Sequence, residues 1–448
     1  MQFTKLPLCR AELWRHVHHR LPTARQGECS LSNRRSDGGA GGRKSSNAIN
    51  IPRTSAGREE RLNATQPSRV VQRVSGWFYD GQRFREGTVG WEEDVVVEIR
   101  SGRTRRPLAE GLIIPGLWNA HTHLGDAIVT QELKGTIEEL VAPPHGLKHR
   151  VLAKAKDAAV IAAMRRAMAT MIRTGATGFS DFREGGLRGL KLLYAALAVL
   201  PMQGLALARP VGLSYDPREV AAILRASDGI AVSSYIDWPR DAIEKLAADA
   251  RRAKKIFAIH CSERVREEID AVLDLKPAFL VHMIHATDAD LERCADAHVP
   301  IVICPRSNAF FGMTPDIPRM LRCGVELHLG TDNAMINTPS LLREMEFAYR
   351  VARMKGGVPA RDILDMALRG RHLADSHATS GIRVGARADL VILDLPGGRN
   401  GFASVVRASA SDVRLVVSGG RLWPAPSPSV RDASMIRGRR RRIARSTR

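Results

Sequence analysis

The sequence predicts an α/β fold: a (β/α)8 TIM barrel with a small β-sandwich built from both ends of the folded chain. Eight short apolar segments alternate with helical segments between residues 111 and 380. Further strand-like segments lie on both sides of that region. Four of the eight segments lead into histidine or aspartate, and a (β/α)8 barrel builds its site from the carboxyl ends of its strands.

The candidate barrel strands are apolar runs at residues 111–117, 177–181, 205–211, 229–235, 256–260, 279–282, 300–304 and 325–329. Good helix formers fill the gaps at residues 155–173, 241–253 and 289–297, and Gly175 follows the first of these as a stop. Flanking strands are expected at 70–74, 76–79, 94–99, 390–393 and 415–417. The predicted sandwich therefore comprises residues 69–110 and 381–423, and the predicted barrel comprises residues 111–380.

Two thirds of the excess positive charge lies at the two ends of the chain. The net charge is +21, and residues 1–68 and 424–448 contribute +7 each. Both segments are rich in arginine, so we expect a disordered basic N-terminal extension and a disordered Arg-rich tail. The middle of the chain carries only +7, and aromatic residues make up 5%. A basic nucleic-acid-binding protein is therefore only a distant alternative.

Cysteine usage and hydropathy predict a cytoplasmic protein with no membrane partner. The six cysteines show no paired metal-binding spacing, which is typical of reduced thiols in the cytoplasm. No apolar run approaches the roughly 20 residues of a membrane span. The N-terminus also lacks the apolar core of a signal peptide.

Histidine pairs and acidic residues follow the predicted strands. His121 and His123 are two residues apart, so an extended strand points both to one face. His260 ends the fifth strand and Glu263 follows it. His282 ends the sixth strand. Asp332 follows the eighth after a Gly-Thr pair. Each alone is a common core histidine or turn residue, but together they predict one site at the barrel mouth.

The chain resembles the amidohydrolase superfamily, and within it the aminohydrolase branch of cytosine, guanine and adenosine-type deaminases and triazine chlorohydrolases. The resemblance runs from about residue 69 to about residue 423. Its motifs are Pro-Gly-Leu-Trp-Asn-Ala-His-Thr-His-Leu at 115–124, His-Cys-Ser-Glu at 260–263, His282, Cys-Pro-Arg-Ser-Asn at 304–308, Gly-Thr-Asp-Asn at 330–333 and Gly-Ala-Arg-Ala-Asp-Leu-Val-Ile-Leu-Asp at 385–394. The resemblance implies the same barrel and sandwich, and it implies a homodimer.

The expected metal ligands are His121, His123, His260 and Asp332. Three imidazoles and one carboxylate suit one divalent ion, Zn²⁺ or Fe²⁺, with a position left open for water. Some superfamily members bridge two metals with a carboxylated lysine at the end of the fourth strand. Residues 229–237 contain no lysine, which favours a single metal.

The resemblance also implies roles for three residues. Asp332 accepts the proton of the attacking water, His282 steadies the hydroxide and the developing charge, and Glu263 protonates a ring nitrogen of the substrate. His285 is the alternative to His282. Glu263 favours deamination, because an amidine-like C=N group needs a proton donor on its nitrogen.

The predicted function is a mononuclear aminohydrolase that deaminates a purine, pyrimidine or related amidine-containing ring by attack of hydroxide generated at the metal. The alternative is hydrolysis of another C–N bond (a cyclic amide) or of a C–Cl bond at the same site. A third hypothesis is an inactive barrel used as a scaffold. Candidate contacts to the small heterocyclic substrate are Arg183, which could meet an anionic group, and Ser307 and Asn308, which could bond a ring edge.

Overall fold

The structure is a computed structural model that describes residues 70–396, 398 and 401–424. These residues lie in one compact unit, Thr65–Arg448. The predicted disordered segments 1–68 and 424–448 fall outside this range, apart from Pro424, and remain predictions. Within the described range, no helix combines the length and the apolar character needed to cross a membrane.

The described residues contain sixteen strands. They are β1 (Gln72–Tyr79), β2 (Phe84–Glu92), β3 (Val95–Ser101), β4 (Glu110–Pro115), β5 (Leu117–His123), β6 (Ala176–Arg183), β7 (Gln203–Ala208), β8 (Gly229–Val232), β9 (Ile256–Cys261), β10 (Phe279–His282), β11 (Ile301–Ile303), β12 (Leu327–Leu329), β13 (Asp332–Asn333), β14 (Leu390–Leu393), β15 (Val413–Ser418) and β16 (Arg421–Pro424).

Thirteen α-helices of this region connect or follow the strands. They are α1 (Ile137–Leu140), α2 (Leu147–Lys154), α3 (Asp157–Arg173), α4 (Gly186–Leu197), α5 (Pro217–Ala226), α6 (Arg240–Arg252), α7 (Ile269–Asp274), α8 (Asp288–Asp296), α9 (Pro305–Phe310), α10 (Ile317–Arg322), α11 (Leu341–Met354), α12 (Ala360–Arg369) and α13 (Gly401–Val406). Local sequence explains several boundaries. Thr287 and Asp290 form a capping box at the start of α8, and Asp216 caps α5 with proline at its first position.

The larger sheet has nine strands in the order β12-β11-β10-β9-β8-β7-β6-β5-β13, and every neighbouring pair is parallel. β12 and β13 follow each other in the chain, separated only by Gly330 and Thr331. β12 pairs with β11, whereas β13 pairs with β5. The run 327–333 therefore hydrogen bonds to β11 through β12 and to β5 through β13. Because these two short strands stand at opposite ends of the strand order but adjoin in the chain, the parallel sheet is curled.

The second sheet has seven strands in the order β16-β15-β14-β4-β1-β2-β3. It unites strands from both ends of the described region, as the sequence predicts. Its outer strand β3 also meets segment 385–388, because Val96 N–H donates to Ala386 O and Ala388 N–H donates to Asp94 O. All seven strands thus belong to one hydrogen-bonded sheet, whereas a sandwich would have two sheets. This sheet has its own apolar cluster around Trp91.

The boundary between the sheets corrects one sequence prediction. Residues 111–117 were expected to form the first barrel strand, but Glu110–Pro115 pairs with β1 and β14 in the seven-stranded sheet. The first strand of the parallel sheet is Leu117–His123, and the chain crosses between the sheets at Gly116. The last four residues of β4 and all of β5 are buried, so hydrophobicity alone did not separate the two strands.

Two buried layers surround the parallel strands. The interior cluster includes Trp118, Phe182, Phe279 and Val302, and a larger cluster lies between the strands and the helices. The parallel sheet therefore encloses packed side chains, and the candidate site lies at its carboxyl ends.

Close approach of two backbones makes Gly330 necessary. A Cβ atom there would lie 2.6 Å from His121 Cβ and 2.8 Å from His121 N. We expect Gly330→Ala to cost about 2 kcal/mol or more, because the neighbouring backbone must move. The urea-unfolding midpoint measures this cost. Gly312→Ala is the control: it has a positive φ but no atom within 4 Å, so strain of about 1 kcal/mol is expected. Equal midpoints would contradict the close approach.

Candidate functional site

Five polar side chains of the sequence prediction meet beyond the carboxyl ends of the parallel strands. His121 and His123 come from β5, His260 from β9, His282 from β10 and Asp332 from β13. His121 and His123 are buried on one side of a fully buried strand, with ring centroids 4.9 Å apart. His285, the alternative to His282, is exposed at the surface.

Main-chain carbonyls fix the tautomers of two histidines. His123 Nδ1 lies 3.1 Å from Phe182 O, and His260 Nδ1 lies 2.9 Å from Val232 O. A carbonyl oxygen only accepts hydrogen bonds, so each Nδ1 carries the proton. Each Nε2 therefore presents a lone pair to the centre of the cluster, which is the arrangement of a metal-ligating histidine.

The distances between these lone-pair atoms fit a single ion. His260 Nε2 is 3.3 Å from His121 Nε2 and 3.4 Å from His123 Nε2. Asp332 Oδ1 is 3.2 Å from His121 Nε2 and 3.5 Å from His123 Nε2. Two ligands placed about 2.05 Å from an ion at a tetrahedral angle lie about 3.3 Å apart. The lone pairs of His123 and His260 point at the same place as the Asp332 carboxylate, so these four residues fit a cation.

Burial sets the charge states that such a cation requires. It lowers the pKa of His121 and His260, and lowers that of His123 to about 4, so all three rings are neutral at pH 7. Burial opposes ionisation of Asp332, but its hydrogen bond with His121 outweighs burial and holds the pKa of that carboxyl well below its usual range. The cluster is thus three neutral imidazoles and one carboxylate.

A second group lies beside the cluster. His282 Nε2 is 3.3 Å from Glu263 Oε1, and Asn308 Nδ2 lies 3.3 Å from the same oxygen and 3.2 Å from His282 Nδ1. Because Asn308 Nδ2 donates to His282 Nδ1, the proton of His282 sits on Nε2. Burial, with the charge of Asp332 second, raises the pKa of Glu263. Glu263 is therefore a carboxylic acid that retains its proton above the ordinary carboxyl range.

Backbone strain accumulates at these strand ends. Ser262, His282, Met283 and Asp332 have φ values between 48° and 79°, in the left-handed region that non-glycine residues rarely adopt. Strain of this kind persists only where the surroundings hold it, and it is common at functional sites. Here it turns His282 and Asp332 toward the cluster.

Ser307 and Asn308 lie against the site residues. Ser307 Oγ donates to Asp332 Oδ2 at 2.6 Å, and both Ser307 and Asn308 are fully buried. Neither lines the open cleft, so in this structure they hold Asp332, Glu263 and His282 instead of facing a substrate ring.

Arg183 does not reach the cleft either. Its guanidinium is 2% exposed, and it pairs with Asp181 at 3.1 Å and Glu184 at 2.5 Å. It also contacts Met164 of α3, on the outer side of the parallel strands. Both carboxylates neutralise its charge, and the structure does not bring this predicted anion-binding residue to a substrate.

Lys148 is a site residue that the sequence analysis missed. It lies on α2, is buried, and its Nζ is 2.9 Å from Glu184 Oε1 and 3.2 Å from Asn333 Oδ1. Glu184 Oε1 is 2.8 Å from His123 Nδ1, and Asn333 Nδ2 donates to Asp332 Oδ1 at 2.9 Å. One lysine thus supports two of the candidate ligands. The only sequence signal was its place in the long connection after the first strand.

The open cleft above the cluster is lined on one side by that connection. Its lining combines apolar residues with charged and hydroxyl groups from the neighbouring strand ends: Ile137, Val141, Ala142, Pro143, Lys148, Arg209, Ser233, Ser234, Asp237, Glu263, Arg264 and Asn333. His123, His260, His282 and Asp332 lie at its floor. A small molecule entering the cleft would contact Glu263 and the candidate metal ligands together.

Because Lys148 supports both His123 and Asp332, we expect Lys148→Met to lower metal affinity by about 10- to 100-fold. Competition with a chromophoric chelator measures that affinity without reference to catalysis. Lys154→Met is the matched control, since Lys154 lies on the same helix but is exposed. Equal affinities of the two variants would show that the lysine does not support the ligands.

Comparison with known proteins agrees with the geometry of the site. The profile of the Amidohydrolase family matches residues 112–423. A protein from Methanothermobacter thermautotrophicus named as an aminohydrolase is 31% identical over 357 residues, which cover 74% of this chain and 92% of that one. A 5-methylthioadenosine/S-adenosylhomocysteine deaminase from Halobacterium salinarum is 27% identical, covering 63% and 73%.

The fold is also similar to that of solved structures. A zinc-bound adenosine deaminase from Xanthomonas campestris superimposes with a TM-score of 0.67 at 19% identity, covering 84% of this chain and 98% of that one. This likeness concerns the fold, whereas the profile match spans more than half of the sequence. The chain therefore belongs to the amidohydrolase family, and it is a metal-dependent hydrolase that acts on carbon–nitrogen bonds.

Proposed function

We propose that the protein is a mononuclear aminohydrolase that removes the amino group of a purine, a pyrimidine or a related amidine-containing ring. The observation that carries the proposal is the position of the Glu263 carboxyl, 3.3 Å from His282 Nε2 and beside one four-ligand cluster. The names of the relatives, which include aminohydrolases and an adenosine-type deaminase, point the same way. The curled parallel sheet is then a closed (β/α)8 barrel whose last strand is the run 327–333.

In this proposal His121, His123, His260 and Asp332 hold one Zn²⁺ or Fe²⁺. Such an ion lowers the pKa of a bound water from about 15.7 to about 7 and so supplies hydroxide at neutral pH. A single ion is proposed because another group that could hold a metal, His121, His282 and Asp332, shares His121 and Asp332 with the four proposed ligands. In addition, Ser233 and Ser234 follow β8 where a bridging lysine would be needed.

Three residues beside the ion each have a separate role in moving or holding a proton. Asp332 takes the proton of the attacking water, with its other oxygen held by Ser307. His282 offers its Nε2 proton to the oxygen that adds to the ring carbon. Glu263 gives its proton to the adjacent ring nitrogen, which makes that carbon electrophilic.

The overall step consumes one water and releases one ammonia. A C–O bond forms at the ring carbon, and the C–N bond to the amino group breaks after that nitrogen receives the proton taken from water. The ring nitrogen keeps the proton from Glu263. The added oxygen loses its remaining proton as the carbonyl forms, that proton returns to the Glu263 carboxylate, and the product is a cyclic amide. Hydrolysis of a C–Cl bond is the competing reaction, since it uses the same nucleophile with a different leaving group.

The direct test offers the protein, reconstituted separately with Zn²⁺ and Fe²⁺, a panel of amino-substituted purines, pyrimidines, nucleosides and triazines. About one metal per chain and ammonia release from at least one member are expected. Chloride release from a chlorotriazine without ammonia from any member would favour the C–Cl reaction. Protein that binds no metal would overturn the site assignment.

Removing the proposed proton donor separates chemistry from metal binding. We expect Glu263→Gln to lower kcat by at least about 100-fold, because general acid catalysis contributes that much, while metal content is unchanged. Steady-state kinetics and metal analysis measure the two effects. Glu268→Gln is the control, because Glu268 is exposed and lies outside the cleft. A Glu263→Gln variant with full activity would exclude Glu263 as the acid.

The raised pKa of Glu263 predicts the direction of the pH profile. The protonated form is the active one, and it persists above the usual carboxyl range, so kcat/KM should hold at neutral pH and fall as pH rises through the pKa of Glu263. Asn308→Ala removes a donor that favours the carboxylate, so its alkaline limb should move to higher pH. An alkaline limb that does not respond to Asn308→Ala would contradict the assignment.

A further inference from the structure

We propose that Glu344 is a positioning residue for the metal-binding and proton-transfer groups of the site, although it does not line the cleft. The inference rests on the proposed function, since it assigns a further residue to the same site. Glu344 stands in the first turn of α11, and its side chain is fully buried. Its Oε1 accepts a hydrogen bond of 2.8 Å from the main-chain N–H of Arg306, at the start of α9. A carboxylate of one helix thus fixes the first turn of another.

The start of α9 has no side-chain cap of its own. Cys304, its N-cap residue, makes no capping hydrogen bond, and Pro305 in the first turn has no N–H to donate. The first N–H groups of a helix find no acceptor within the helix, so the N–H of Arg306 needs an acceptor from elsewhere. Glu344 supplies that acceptor. The turn that carries residues 307 and 308 is therefore anchored from α11.

The anchored turn reaches three residues of the site. Ser307 Oγ donates to Asp332 Oδ2 at 2.6 Å. Asn308 Nδ2 lies 3.3 Å from Glu263 Oε1 and 3.2 Å from His282 Nδ1. Both residues directly follow the anchored N–H in the chain, so a shift of the main chain there moves both side chains. One buried carboxylate thus stands behind a candidate metal ligand, the candidate acid and the neighbouring histidine.

The chemistry of Glu344 goes beyond what packing requires. Its Oε2 accepts no hydrogen bond from the residues that the structure describes and faces Arg306 Nη1 at 3.5 Å. Burial raises the pKa of Glu344 to about 7, although the charge of Arg306 opposes this shift. A buried carboxylate with incomplete partners destabilises a fold, and an apolar side chain of similar size would not. Packing alone therefore does not explain the carboxylate, whereas the turn that it holds does.

The test measures Zn²⁺ affinity by competition with a chromophoric chelator, which needs no substrate. Glu344→Leu removes the acceptor, so we expect the affinity to fall about 10-fold as the contact between Ser307 and Asp332 loosens. Ser307→Ala breaks that contact directly. The double variant should then bind Zn²⁺ no more weakly than Ser307→Ala alone, because both changes act through one contact. Unchanged affinity in Glu344→Leu, or losses that add in the double variant, would overturn the proposal.

Further variants separate positioning from stability. Glu344→Gln keeps a side-chain oxygen for the N–H of Arg306 and should restore most of the Zn²⁺ affinity; a value as low as that of Glu344→Leu would contradict the assignment. Glu346→Leu is the control on the same helix, with a side chain 41% exposed, and should change nothing. If Glu344→Leu does not fold, Glu344→Met replaces it in the cycle. Failure of both to fold would assign Glu344 to stability and overturn the proposal.

Kinetics add a second readout. With a substrate found in the panel, Glu344→Leu should lower kcat about 10- to 100-fold, because small displacements of catalytic groups are costly. KM should change little, since Glu344 does not line the cleft. A rise in KM without a fall in kcat would count against positioning. Absence of ammonia release by the unmodified protein would overturn the proposed function, whereas the Zn²⁺ measurements would still decide the role of Glu344.

Discussion

The site depends on the hydrogen bonds that hold two histidine rings by their Nδ1 atoms. His123 and His260 donate to carbonyls of the neighbouring strands β6 and β8, so the register of the parallel sheet decides where each Nε2 lone pair points. Asp332 reaches the same point because β13 pairs with β5. The ligand set is therefore a product of strand pairing: a shift of one residue in any of these strands would turn its ligand away.

The same region concentrates conditions that oppose folding. Neutral imidazoles face each other, Lys148, Arg183 and Glu184 are buried charges, and several strand ends adopt positive φ. The charges are tolerated because they pair in one network, in which Glu184 contacts both cations. The apolar clusters around the parallel strands stabilise the rest of the chain. A bound cation would remove the repulsion between the lone pairs, so we infer that ligand binding and stability are coupled here.

Much of this site could be predicted from the sequence, because histidines and acids at strand ends are local signals. His121, His123, His260, His282 and Asp332 were each found by their place after an apolar run, and the structure brings them together. The change of sheet at Gly116 could not be predicted, since only that residue separates β4 from β5 and the apolar run continues across it. Lys148 could not be found either, because its role depends on how α2 folds back over the strands.

Arg183 and Arg209 show that the sequence pattern at a strand end predicts the direction of a side chain only when the strand register is also known. Arg183 of β6 pairs with Ala208 of β7. Along each strand, successive side chains point to opposite faces of the sheet. Phe182 and Leu207 belong to the interior cluster, so Arg183 and Ala208 face the helices. Arg209, one residue further, returns to the inner side and reaches the cleft. The sequence prediction took Arg183 because it follows the predicted second strand at 177–181, whereas the alternation along the strands places Arg209 in the cleft. Once the paired register is known, the same two-residue period that aims His121 and His123 also separates an arginine that faces the helices from one that lines the cleft.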